Sequence, residues 1–164
     1  MGTLFLKNPN CYEIDIFTIS QLLLRKEIVV LPTDTVYGFH SLVSKDLQEK
    51  INEIKGCAKD KPLITLDRNF ISPIKITVPT TFIIDGRAVR NPRSRVIADV
   101  LAQVGQPLYS TSANLTGEPI LTNGRDIHEK FRGKIAAVFD IGEIENKSSR
   151  IVKYEKGKWI TIRE

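Results

Sequence analysis

Two stretches of the chain have the residue types of a ligand site. "PTDTVYG" (residues 32–38) places Thr33, Asp34, Thr35 and Tyr37 directly after the apolar run "IVVL", and "YSTSANLTGEP" (residues 109–119) places Ser110, Ser112 and Asn114 after "QPL". In α/β sheets the crevice beyond the strand ends is the usual ligand position, because loops there present hydroxyls and backbone N–H groups. The same residues also make ordinary turns, so either stretch alone is open to a purely local reading. Two stretches of one design favour a site.

The chemistry they suggest is binding and alignment. No G-x-S-x-G occurs, and His40 and His128 have no recognisable Ser or Cys partner pattern, which argues against hydrolysis by a triad. His40 follows Tyr37 by three residues and fits either a pocket or a packed position. Neither a P-loop nor a G-x-G-x-x-G is present, so a nucleotide would be held by other means. Lys55, Lys59 and Lys61 cluster after one helix, while Arg87, Arg90, Arg93 and Arg95 crowd the loop before another. Arginine suits bidentate phosphate or carboxylate contact and lysine acts as a mobile point charge, although each residue alone also fits a solvated surface.

These groups must be positioned by a scaffold, and the hydrophobic pattern outlines one. Asp15 is read as the cap of a helix burying Ile16, Ile19, Leu22 and Leu23, after which "IVVL" reads as a strand buried on both faces. Ser44 caps a second helix with Leu47, Ile51 and Ile54 inward and Gly56 as its stop; Ser94 and Gly105 bracket a third with Val96, Val100, Leu101 and Val104 inward. "KPLITL", "TTFIID", "QPLYS" and "IAAVFDIG" read as strands. Residues 69–79, with Pro73 and Pro79, read as a loop, residues 127–131 as a short helix, and "SRIVKYEKGKWITIRE" as a hairpin turning at Lys156 and Gly157. Alternating strands and helices imply an α/β domain with a mixed sheet over residues 1–164.

Composition narrows the class. The 164 residues are 41% hydrophobic, as in ordinary globular proteins, and Lys plus Arg number 24 against 19 acids, a net charge of +5 that favours anionic partners such as nucleotide or RNA. The longest apolar runs fall well short of the roughly 20 residues needed to span a bilayer, and the N-terminus lacks a signal-peptide pattern, so no membrane association and a cytoplasmic location are expected. Cys11 and Cys57 have neither zinc nor disulfide spacing and read as two reduced thiols.

In order along the chain, "PTDTVYGF", "KINEIKG" leading to "KPLITL", "AVRNP" and "STSANLTGEP" resemble the signature series of the YrdC-like family, the threonylcarbamoyl-AMP synthases of tRNA modification, from about Glu27 to Val152. The resemblance implies an open, twisted α/β sheet with flanking helices and a concave basic groove. It implies that L-threonine, bicarbonate and ATP, with Mg²⁺ on the phosphates, are joined into threonylcarbamoyl-AMP and pyrophosphate. A downstream transfer complex then modifies the tRNA adenosine beside the anticodon, and family members also bind double-stranded RNA.

Carried over by motif, Thr33, Thr35, Tyr37 and Ser110 would bind threonine; Lys55 and Arg90 would act at the reacting groups. Lys55, Lys59, Ser112, Asn114 and Ser149 would hold ATP, with no protein metal site. The sequence departs from the family where "KGCAKDKP" replaces the usual "K-G-R-P", putting Cys57 in the place of an Arg, with Lys59 as the nearby substitute. It departs again in a shortened segment between "KPLITL" and "AVRNP". These departures suit the alternative of a non-catalytic relative that binds RNA or nucleotide.

Overall fold

A computed structural model describes residues 2–7 and 12–164; Cys11, and with it half of the thiol reading, lies outside the described residues. Ten strands among them form one mixed open sheet in the order β1-β8-β2-β3-β7-β4-β6-β5-β9-β10. In chain order the elements are β1 (Leu4–Leu6), α1 (Tyr12–Leu24), β2 (Val29–Pro32), β3 (Tyr37–Leu42), α2 (Lys45–Lys55), β4 (Ile64–Leu66) and β5 (Thr80–Ile84). There follow β6 (Arg87–Arg90), α3 (Arg95–Val104), β7 (Leu108–Ser112), α4 (Gly124–Phe131), β8 (Ala137–Phe139), β9 (Arg150–Glu155) and β10 (Lys158–Arg163).

Both faces of the central strands are covered, and β2 shows how. Its alternate side chains point to opposite faces: Val29 and Leu31 join a core with Ile16, Ile19 and Leu23 of α1 and Val96, Ile97, Val100 and Leu101 of α3. Val30 joins a second core with Phe39, Leu47 and Ile51 of α2 and Ile127 and Phe131 of α4. Each fully buried aliphatic or aromatic side chain contributes roughly 1.5–3 kcal/mol relative to exposure.

The helix punctuation read from the sequence is present. Ser44 accepts from Leu47 N and Gly56 closes α2 at φ +66°; Ser94 accepts from Ile97 N and Gly105 closes α3 at φ +73°. The first helix begins earlier than its expected cap. Tyr12 Oη donates to Asp99 Oδ2 of α3 at 2.7 Å, a tertiary tie that carries the helix upstream and leaves Asp15 inside it, buried.

Three strands escape the sequence reading. β1 is a short outer strand parallel to β8, and β3 turns back on β2 where only a polar strand end is expected. β6 occupies the expected loop before α3: β5 and β6 form a hairpin over Asp85 (φ +48°) and Gly86 (φ +76°), the Asp-Gly pair whose left-handed conformation matches strand twist. The expected short helix is α4, which starts at Gly124, and the expected final hairpin is present with Lys156 and Gly157 at positive φ.

Candidate functional site

The β2–β3 turn is tied by one hydroxyl. Thr33 Oγ1 accepts from Thr35 N (3.1 Å) and Val36 N (3.2 Å) and lies 2.9 Å from Thr35 Oγ1. This fold of the turn aims Asp34 across the sheet at Arg90, the last residue of β6. Asp34 Oδ1 accepts from Arg90 Nη2 at 2.5 Å, and Oδ2 accepts from Arg93 N at 3.1 Å.

The Arg90 side chain is only 5% exposed. Burial pulls the Arg90 pKa below the ordinary arginine value, Asp34 opposes the change, and nearby Arg163 adds to it. Nη2 also reaches Thr35 Oγ1 at 3.4 Å, while Nη1 is buried with no partner among the described residues. A buried donor of that kind costs stability until an acceptor arrives, so it points at a ligand.

The opposite wall is β7, paired antiparallel with β3 so that Gly38 faces Ser112 and His40 faces Ser110. With the period of two, these four residues share one face. Ser112 Oγ donates to Asn114 Oδ1 at 2.7 Å, and Ser110 Oγ lies 3.1 Å from His40 Nε2. His40, without a partner in the sequence pattern, is thus fully buried against a serine contributed by another strand.

The third wall comes from the C-terminal hairpin. Ser149 Oγ lies 2.8 Å from Thr81 Oγ1, and Arg163 holds the Ser149 carbonyl through Nε (3.2 Å) and Nη2 (2.6 Å). Together Thr33, Thr35, Gly38, Ile64, Leu66, Arg90, Ser110, Ser112, Ser149 and Arg163 line a cavity of about 110 Å³. Two guanidiniums against one carboxylate leave it cationic and rich in hydroxyls. It can hold a small anion in fixed orientation, but it contains no basic group free to activate a nucleophile.

Of the residues named from the sequence, Thr33, Thr35, Ser110, Arg90, Ser112 and Ser149 meet in this cavity. Tyr37, Lys55, Lys59 and Asn114 lie outside its lining, each for a visible reason. Tyr37 points to the other face of β3, where its hydroxyl is 2.7 Å from Gly142 O and 3.0 Å from Asp140 Oδ1 and accepts from Ile141 N. Lys55 is drawn under the end of β7, donating to the carbonyls of Ser112 (2.5 Å) and Asn114 (2.8 Å) and lying 5.5 Å from the Phe39 ring centre. Burial there brings its ammonium down to about 8.

Asn114 spends its amide on Leu115 O and Glu118 O, knitting the loop, and Lys59 is exposed beyond α2. Cys57, in the place of the family's Arg, is a half-buried free thiol 3.5 Å from Asn52 O. Arg163 is the charged lining residue that sequence reasoning missed, alongside Gly38, Ile64 and Leu66; the register of the final hairpin was the available signal for it.

An open mixed α/β sheet with a cationic, hydroxyl-lined cleft has the charge and donors to accept a small anionic or zwitterionic ligand. The Sua5/YciO/YrdC family model, described as "Telomere recombination", matches residues 21–77 and 75–164, and the chain belongs to that family.

Among curated relatives, the threonylcarbamoyl-AMP synthase of Bacillus subtilis is 29% identical over 153 residues, covering 74% of this chain and 44% of that protein. A putative threonylcarbamoyl-AMP synthase of Methanocaldococcus jannaschii is 28% identical over 171 residues, covering 87% of this chain and 81% of the relative. The chain thus spans less than half of the first relative's length. Among solved structures, P. abyssi Sua5 complexed with L-threonine superposes with TM-score 0.80 at 23% identity, over 98% of this chain and 56% of that one. E. coli YciO superposes with TM-score 0.81 at 17% identity, over 99% and 93%. At these identities the structures speak for the fold.

Proposed function

We propose that the protein is an L-threonylcarbamoyladenylate synthase, which joins L-threonine, bicarbonate and ATP into threonylcarbamoyl-AMP, pyrophosphate and water for modification of the tRNA adenosine beside the anticodon. The observation that carries this reading is the unpartnered Nη1 of buried Arg90 at the edge of a small cavity lined by hydroxyls. An amino-acid carboxylate fits that donor. The names of the curated relatives support the same activity.

The reaction needs alignment more than covalent help. The threonine amine adds to carbon dioxide or bicarbonate, and the resulting carbamate oxygen attacks the α-phosphate with loss of pyrophosphate. Both steps gain from fixed geometry and charge stabilisation. Arg90 anchors the carboxylate, held in place by Asp34. Arg163 and Ser149 face the phosphates from the hairpin, and Lys55 braces the wall that carries Ser110 and Ser112. Mg²⁺ would enter with the ATP substrate and offset the phosphate charge. No described helix is long and apolar enough to cross a membrane, and the work proposed here belongs in the cytoplasm beside tRNA.

A second reading rests on Lys55, whose Nζ is spent on main-chain oxygens and not on the cavity. In it the chain binds nucleotide, tRNA or double-stranded RNA without turnover. Pyrophosphate release from ATP and bicarbonate, with and without L-threonine, separates the two. Threonine-dependent release that Arg90→Lys lowers by roughly a hundredfold establishes the synthase. No release from folded protein overturns the synthase reading, and tRNA affinity against salt then tests the binder.

A further inference from the structure

The first helix breaks a pattern that α2 and α4 keep. Those two bury one apolar stripe and turn charged residues such as Lys45, Glu53, Arg125 and Glu129 to solvent. α1 buries Ile16, Ile19 and Leu23 in the core with α3 and β2, yet on its outer side Ile14 is 65% exposed, Phe17 58% and Leu24 43%. Ile14, Phe17, Gln21 and Leu24 follow one another at intervals of three, four and three residues, the spacing of a seam between two packed helices. A helix that is apolar on both sides belongs between two layers. None of its residues lines the cavity, so the stripe lies outside the site already described.

The stripe carries its own complement. Ile14 and Leu24 stand five residues either side of Ile19, Phe17 and Gln21 two, and Glu13 and Arg25 six. Arg25 still follows the course of the helix, since its N–H donates to Gln21 O at 3.1 Å; both it and Glu13 are exposed and outside every ion pair among the described residues. Reversing one α1 against another therefore sets Ile14 at the level of Leu24, Phe17 at that of Gln21 and Glu13 at that of Arg25, each twice about a twofold axis at the level of Ile19. Glu13 and Arg25 flank the stripe on opposite sides, and the crossing of about −50° most common between packed helices swings each towards its opposite number on the other copy. A parallel pairing would instead set Glu13 level with Glu13 and Arg25 level with Arg25.

We propose that the outer stripe of α1 is the contact surface for a second copy of this chain, held antiparallel in a symmetric dimer. The inference is independent of the catalytic reading. One helix from each copy makes a small interface, so association is weak and reversible, with half of the protein paired at roughly tens of micromolar. Phe17 supplies the main apolar contact, and the two Glu13–Arg25 pairs supply direction and register more than affinity.

The test is sedimentation velocity of the whole chain over about 2 to 200 micromolar, a range in which the parent should pass from monomer to dimer. Phe17→Glu should weaken pairing by at least about tenfold while its urea midpoint stays near the parent's, because the side chain is already exposed in the single copy. Glu13→Arg and Arg25→Glu should each weaken pairing by about threefold to tenfold. An equimolar mixture of these two single variants should pair nearly as well as the parent, because each restores opposite charges to the other. A parent that stays monomeric across the range leaves the stripe to another occupant and overturns the proposal, as does a dimer that Phe17→Glu leaves intact. A mixture no better than its components overturns the antiparallel arrangement, and with it the reversed copy as the partner.

Discussion

The two faces of β3 use polar groups in opposite ways. On one, Tyr37 and Phe39 look towards α2 and α4: Phe39 meets Phe131 edge-on at 4.8 Å between ring centres, and the Tyr37 hydroxyl is fully engaged by Asp140, Gly142 and Ile141. Asp140 in turn accepts from Gly124 N and Gly142 N, each at 3.1 Å, and pairs with Lys7 at 3.1 Å. Burial alone would raise its carboxyl, yet the bonds from Gly142, Lys7, Tyr37 and Gly124 outweigh it and hold the pKa below the ordinary value. On the other face, Gly38 lines a cavity in which Arg90 keeps a donor unmet, and His40 is buried behind Ser110 of that lining. On this sheet the saturated polar groups hold the architecture, while the unmet donor of Arg90 borders the cavity.

That contrast can be broken first on the saturated side. Asp140→Ala leaves the Gly124 and Gly142 N–H groups without their acceptor in the interior and removes the partner of Lys7, and should cost about 3–5 kcal/mol in urea unfolding, with little change in the activity of the molecules still folded. On the unsatisfied side the order reverses. Arg90→Lys keeps a positive charge but loses the planar fork, and should lower threonine-dependent pyrophosphate release by roughly a hundredfold, a larger effect than its change in stability. A hundredfold loss in both activity and folding would erase the distinction between the faces.

Acid sharpens it further. Below its ordinary value of 6.5 the His40 imidazole takes up a proton in the unfolded chain but refuses one in the native state until about 3. Stability contributed by this group is therefore complete above pH 6.5 and is lost as pH falls towards 3, at roughly 1.4 kcal/mol per pH unit within that window. Unfolding measured between pH 6.5 and 4.5 should show this slope in the parent and lack it in His40→Gln. The smallest effect belongs to the exposed Lys45–Glu49 pair at 3.9 Å, where Lys45→Ala should change stability by no more than about 0.5 kcal/mol.

The legible parts of the fold were those governed by short-range chemistry. Ser44 with Gly56, and Ser94 with Gly105, announce their helices because cap and stop act within a few residues of the hydrophobic stripe. β3 was hidden because Tyr37, Gly38, Phe39, His40 and Ser41 are all buried, which removes the alternation that marks a strand with one wet face. β6 was hidden beneath its charges, although the Asp85–Gly86 turn was in plain view. Within the site, Thr35 and Tyr37 look equivalent by spacing, but the turn tied by Thr33 interrupts the strand period between them and sends them to different faces. Lys55 reads as a free cation, and only the return of β7 over the end of α2 shows which oxygens occupy it.

The cavity takes its first wall from Thr33 and its last from Arg163, with β9 joined in parallel to β5 and β10 closing the hairpin. Because these walls come from residues so far apart along the chain, the cavity exists only when the whole sheet is assembled, and ligand affinity reports the folding of the entire domain.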